Sequence, residues 1–333
     1  MPRSLALPPL DVLLDSVVGF SIPLRVPFRD TTVRQGLLMH GPAGWGEFAP
    51  FPEYAPAEAS RWLAGAIEAA WVGWPTAVRE SVPVNAIVPA VAPDVAAELV
   101  LAAGCSTAKV KVAQPGQRLA DDVARVQAVR NALGADAAIR IDANGAWSLE
   151  QAAEALTALE RFDLQYVEQP CATLVDLTAL RRLTGVPVAV DEGLRRAPDP
   201  SAVAGLRAAA DVLVLKVAPL GGVAPALALA DAYGLPAVVS SALDTSVGLA
   251  AGLALAAALP ELPYACGLGT ATLLSADVTA ERVHPVGGVL LVRSVEPTAQ
   301  DLSAVAMDPM QMAAWLDRLT ASYDQLAVRG GMA

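Results

Sequence analysis

From about residue 82 to 270 one unit recurs: a short β-branched run, a polar or Gly/Pro turn, then an Ala/Leu-rich segment. The strand candidates are VPVNAIV, TAKVKVA, AAIRIDAN, LQYVEQP, VPVAVDE, VLVLKVAP, LPAVVSS and YACGLGT. Helical segments between them include 118–133, 149–159 and 174–183. Runs this apolar on both faces fit a parallel sheet covered by helices. Eight of them in regular alternation with helices favour a closed parallel α/β barrel. A doubly wound open sheet is the alternative. It is disfavoured because Gly267-Leu268-Gly269 is followed by no third glycine at dinucleotide-binding spacing. The chain can fill such a core: of 333 residues 54% are hydrophobic and only 5% aromatic, so the apolar mass is Ala, Val and Leu.

The flanks read differently. In residues 1–80, SVVGFSIPLRVPFR, TTVRQGLLMHG and GWGEFAP alternate as antiparallel strands do, and a helix is expected over 57–71. This predicts a separate α+β unit, followed by the barrel over 81–270. The segment 271–333 holds an expected strand pair, VHPVGGVLLVR, turned at Gly287-Gly288, and a helix over 309–319. It is too short for a domain and is expected to pack back on the first unit.

Net charge is −11 and the pI about 4.7, with no basic stripe, which argues against nucleic acid as a partner. Cys105, Cys171 and Cys266 are odd in number and far apart, matching a reducing compartment rather than a disulfide framework. The N-terminal run lacks a signal-peptide layout. VGLAAGLALAAALP is the longest apolar run and falls short of the roughly 20 residues of a membrane span. The expectation is a soluble cytoplasmic protein, monomer or homo-oligomer.

Among 23 basic residues only Lys109, Lys111 and Lys216 are lysine, and all three sit at the ends of apolar strands. Guanidinium stays protonated, whereas burial and neighbouring charge can bring an ammonium into a useful basic range. The plain alternative, strand-edge lysines snorkelling to solvent, explains one of them better than three. In a closed parallel barrel the C-terminal strand ends face one site. Those ends also carry Asp142, Glu168, and Asp191 with Glu192. The steps from Lys111 to Asp142, Glu168, Asp191 and Lys216 are 31, 26, 23 and 25 residues. Period-2 alternation puts Lys109 and Lys111 on one face, puts Arg140 on the face of Asp142, and lets only one of Asp191 and Glu192 point inward.

Three carboxylates on successive strands repel one another, at about 4 kcal/mol per pair 4 Å apart at an effective dielectric of 20. A hard divalent cation relieves this, and all-oxygen ligands select Mg²⁺ or Mn²⁺ over zinc. Salt bridges to the lysines alone are the competing account. Lysines flanking such a metal suit abstraction of a proton next to a carboxylate. Lys111 would need its proton affinity lowered towards roughly pH 7 to 8, with Lys109 and the metal pushing it down.

KVK at 109–111, IDANGAW at 141–147, YVEQP at 166–170, VDE at 190–192 and LKVAP at 215–219 together resemble the enolase superfamily, in its muconate-lactonising-enzyme-like branch. LRVPFRDTTVRQGLLMHGPAGWGEFAPFPEY is similar to the capping domain of the actinobacterial o-succinylbenzoate synthase family, and SSALDTSVGL at 240–249 points the same way. The resemblance implies a modified TIM-type (β/α)7β barrel with an N-terminal α+β capping domain. It implies Asp142, Glu168 and Asp191 as Mg²⁺ ligands, Lys111 as base and Lys216 on the opposite face of a small-molecule carboxylate substrate. The implied reaction is dehydration of 2-succinyl-6-hydroxy-2,4-cyclohexadiene-1-carboxylate in menaquinone biosynthesis.

Ser240, Ser241, Gly267 and Gly269 are candidates to hold the succinyl group, and the two serines read equally as a turn after strand seven. Asn144 either orients the site or caps its turn. Arg140 either reaches Lys111 or substrate or pairs with an acid. The loops 22–29, ending at Arg29, and 51–54 are candidate lids or plain surface. An N-succinylamino acid racemase or dipeptide epimerase would use the same lysines. A His base is disfavoured, because His40 and His284 lie at no barrel strand end.

Overall fold

The computed structural model describes residues 7–28 and 31–330. Its first sheet is antiparallel: β1 (Val17–Phe28), β2 (Thr31–Gly41) and β3 (Gly44–Phe48), in that order. Leu37, Leu38 and Met39 of β2 are buried, and the helix Pro56–Ile67 covers the sheet. Proline at its first position lacks the N–H that a helix start leaves unpaired. Helix and sheet touch at Gly46, where a Cβ would lie 2.1 Å from the Ala66 carbonyl oxygen. The segment 22–28 expected as a loop belongs to β1, and Arg29 lies outside the described residues.

After β4 (Ser81–Pro83) comes the parallel sheet: β5 (Ala86–Val88), β6 (Thr107–Lys111), β7 (Ala138–Asp142), β8 (Leu164–Glu168), β9 (Val188–Val190), β10 (Val212–Leu215) and β11 (Ala237–Val239), each beside the next. The stretch expected as the eighth strand contributes single bridges, Val84 to Cys266 on one side and Ser240 to Gly267 on the other. These close the circle.

Alternation sorts the side chains. Val110, Val167, Val190, Leu215 and Val239 join the large core under the helices. Tyr166, Ala189, Val212, Val214 and Val238 form a separate cluster inside the barrel, with Tyr264 against it. Two residues further along, the same inward faces carry Glu168, Asp191, Lys216 and Ser240.

The tail differs in part from expectation. Gly287 and Gly288 do make a turn, with Val286 bridging Val289. However, β12 (Val289–Leu291) pairs antiparallel with β4 rather than forming a free hairpin. The last helix runs over Pro309–Gly330 and packs on the helix Pro56–Ile67. Trp315 meets Phe48 edge to face, and Arg318 donates to the carbonyls of Phe51 and Tyr54.

Candidate active site

The inward alternation brings Lys109, Lys111, Asp142, Glu168, Asp191 and Lys216 together at the C-terminal mouth of the barrel, each at least nine-tenths buried. Lys111 pairs laterally with Asp142, and Asp142 with Glu168, across neighbouring strands. Lys109 Nζ lies 2.9 Å from Asp142 Oδ2 and 2.6 Å from Glu168 Oε1. Lys111 Nζ lies 2.5 Å from Asp142 Oδ2, and Lys216 Nζ 2.5 Å from Asp191 Oδ2. Arg195 Nε holds the other Asp191 oxygen at 2.8 Å. Strand β9 ends at Val190, so Asp191 keeps the inward direction while Glu192 starts a short helix, Glu192–Arg195.

Burial, then the negative charges of Asp142 and Asp191, push Glu168 up to about 7 against the opposing pull of Lys109 and Lys216. Burial works against the charge on Lys109, but Asp142 and Glu168 outweigh it and hold the ammonium well above its ordinary range. The raised Glu168 reflects its burial first and the neighbouring carboxylates second. A donor set of three carboxylates suits a hard divalent cation by its chemistry. As the side chains stand, ammonium groups engage the carboxylates, and among the described residues no three such ligands are gathered on one point. Binding an ion there requires the lysines to yield carboxylate oxygens.

Above this layer lies a cavity of about 30 Å³, with room for roughly two waters. All three lysines line it. Ser240, Ser241 and Gly267 also line it, and Phe51 and Leu243 form an apolar wall. A ring-sized ligand therefore enters only when wall residues move. Ser241 Oγ donates to the Gly267 carbonyl at 2.8 Å and shares a hydrogen bond with Thr270. A Cβ at Gly267 would stand 2.6 Å from Ser240 Oγ, so a side chain there displaces that hydroxyl.

Three sequence candidates sit elsewhere. Gly269 is outside the cavity wall, nearest the Asn85 carbonyl and Pro285. Asn144, at φ 48°, accepts from Lys111 Nζ at 2.6 Å and donates to Glu192, so it touches the lysine and not the cavity. Arg140 is a correction to the substrate-contact expectation. It is fully buried lower in the barrel, where it donates to the Tyr166 hydroxyl, the Gln165 side chain and the Ala265 carbonyl. Its guanidinium also lies 4.7 Å over the Tyr166 ring. It pins the barrel floor, because a buried guanidinium must spend its donors on whatever the interior offers.

Sequence reading missed Arg195. Asp191, Glu192 and Arg195 meet at i, i+3 and i+4 spacing only if the turn after β9 is helical, and a four-residue helix leaves no periodic signal. It also missed Arg34, whose Nε donates to the carbonyl of cavity-lining Leu243 at 3.0 Å. Neither histidine lines the cavity. Cys105, Cys171 and Cys266 are free and buried, and no helix among the described residues is long and apolar enough to cross a membrane.

Residues 92–297 match the family model described as Enolase C-terminal domain-like, and residues 19–70 the one described as Enolase N-terminal domain-like. An o-succinylbenzoate synthase of Thermobifida fusca (strain YX) is 59% identical over 91% of this chain and 95% of its own. One of Mycobacterium leprae (strain TN) is 52% identical over 98% of this chain and 96% of its own. The solved N-succinyl Arg/Lys racemase from Bacillus cereus ATCC 14579 superposes with a TM-score of 0.72. It is 19% identical over 87% of this chain and 96% of its own, a likeness of fold alone.

Proposed function

We propose, for a chain that belongs to the enolase superfamily and within it to the o-succinylbenzoate synthase family, the Mg²⁺-dependent dehydration of 2-succinyl-6-hydroxy-2,4-cyclohexadiene-1-carboxylate to o-succinylbenzoate, a step of menaquinone biosynthesis. The enzyme is a lyase on this reading. The observation that carries it is the placing of two lysines on carboxylates around one cavity: Lys111 on Asp142, and Lys216 on Asp191.

Lys111, as the neutral amine, takes the proton alpha to the substrate carboxylate, and the C–H electron pair passes into that carboxylate. A divalent ion held by Asp142, Glu168 and Asp191 supplies, when bound, the positive charge that makes this carbanion-like charge tolerable. Lys111 then hands its proton to the ring hydroxyl. The C–O bond breaks, water leaves, and the electron pair returns to complete the aromatic ring. Lys216 stays a cation across the cavity, and Lys109, charged between Asp142 and Glu168, sets the field beside Lys111. Ser240 and Ser241, with the Gly267 backbone, bound the far side, where a succinyl chain would lie. Phe51 closes over it as the lid. On this reading residues 1–80 cap the site, 81–270 carry the chemistry and 271–333 brace the cap.

Incubation with substrate and Mg²⁺, followed by mass and ultraviolet identification of the product, tests the reading. Formation of o-succinylbenzoate is expected. If the protein instead only exchanges the α-proton of N-succinylamino acids in deuterated water, the substrate assignment is wrong and the racemase alternative holds.

A further inference from the structure

We propose that Arg195 and Tyr54 are positioning residues that couple seating of the N-terminal cap to Lys111, Lys216 and Asp191. One guanidinium makes three contacts. Nε donates to Asp191 Oδ1 at 2.8 Å, Nη2 to Glu192 Oε1 at 2.7 Å, and Nη1 to the Tyr54 hydroxyl. From Asp191 the network continues to Lys216, 2.5 Å from Oδ2. From Glu192 it continues through the Asn144 amide, 3.2 Å away, whose oxygen accepts from Lys111 at 2.6 Å. Arg195 is therefore the branch point of an unbroken path from a cap residue to the lysines on the two sides of the cavity.

The cap end of that path is anchored. Tyr54 packs against Phe51 and Trp62 with ring centroids 5.8 Å away in each case, and its carbonyl accepts from Arg318 at 3.0 Å. Phe51 lines the cavity. The Arg195 carbonyl is held at 2.7 Å by Arg61, on the cap helix Pro56–Ile67. Movement of Phe51 to admit substrate thus pulls on Tyr54, and Tyr54 loads one arm of a rigid planar fork. A fork transmits orientation to its other two arms in a way a point charge cannot.

This inference rests on the reaction proposed above, and its test separates the two. The full-length variants Tyr54→Phe and Arg195→Lys are compared with wild type by Mg²⁺ calorimetry without substrate, by kcat and KM, and by thermal melting. Tyr54→Phe deletes one oxygen and keeps the ring. Tyr54 reaches Asp191 only through Arg195, so we expect Mg²⁺ affinity and kcat to fall by less than the roughly 10- to 100-fold that losing a ligand's direct hydrogen-bond partner costs. KM should change less than about twofold, since the substrate wall is intact. Arg195→Lys keeps the charge but loses the fork, and should lose at least as much. Melting shifts in both variants with Mg²⁺ affinity and kcat at wild-type values would overturn the coupling and leave a packing role. If Tyr54→Phe does not fold, Arg195→Lys decides by the same readouts. Wild-type Mg²⁺ binding without turnover would sink the reaction reading instead, and the coupling would then be judged on binding alone.

Discussion

Replacing Glu168 by Gln should make the metal-free protein more stable at alkaline pH and leave it unchanged in acid. Glu168 stands at about 7 in the fold, against 4.5 as its ordinary value. Between those two pH values the folded protein holds a proton that the unfolded chain has released. The unfolded state therefore binds fewer protons, and stability falls as pH rises through that window. The shift of about 2.5 units corresponds to about 3 kcal/mol lost by pH 8. Glu47, also buried, lies at about 7 and imposes the same slope, so the quantity to read is wild type minus variant. Urea melts in EDTA at pH 5 and pH 8 provide it. Glu168→Gln should match wild type at pH 5 and exceed it by up to about 3 kcal/mol at pH 8. Mg²⁺ at 100 times its dissociation constant adds about 2.7 kcal/mol to a protein that binds it only when folded, and should help wild type more at pH 8 than at pH 5. A wild-type advantage over the variant at pH 8 in EDTA would refute the claim that burial and the neighbouring carboxylates disfavour the charged Glu168 in the metal-free fold.

Arg140→Met strands the Tyr166 hydroxyl and the Ala265 carbonyl, and should cost about 2–4 kcal/mol in a urea melt. KM measured on the folded fraction should hold, since Arg140 is outside the cavity wall; a large rise in KM would return it to the substrate. Gly46→Ala drives a methyl into the Ala66 carbonyl oxygen and should destabilise by about 1–3 kcal/mol, read as a lower urea midpoint with unchanged kcat. Gly267→Ala meets Ser240 Oγ instead, and should raise KM while the melting temperature moves little.

The barrel was legible because its signal is local and repeated. Alternation within TAKVK, AIRID and LQYVE fixes which residues face inward, and the strand ends then converge by geometry. The choice between Asp191 and Glu192 was open because it depends on where β9 stops, which the apolar run does not mark. Pairing of β12 with β4 joins residues about 200 apart in sequence, and the Gly287-Gly288 turn advertised the nearer partner. Arg140 was placed on the correct face but not at the correct depth, since alternation says nothing of height along the barrel axis. Arg195 and Tyr54, 141 residues apart, meet only in the folded chain.

The most direct test of the account is the rate of loss of the cyclohexadiene ultraviolet absorbance with saturating Mg²⁺, for wild type, Lys111→Ala and Lys216→Ala. The account predicts turnover that EDTA abolishes, and losses of about 10²–10⁴-fold or more in both variants with their circular dichroism unchanged. Turnover by Lys111→Ala near the wild-type rate would contradict it, because the base would then be a group other than Lys111.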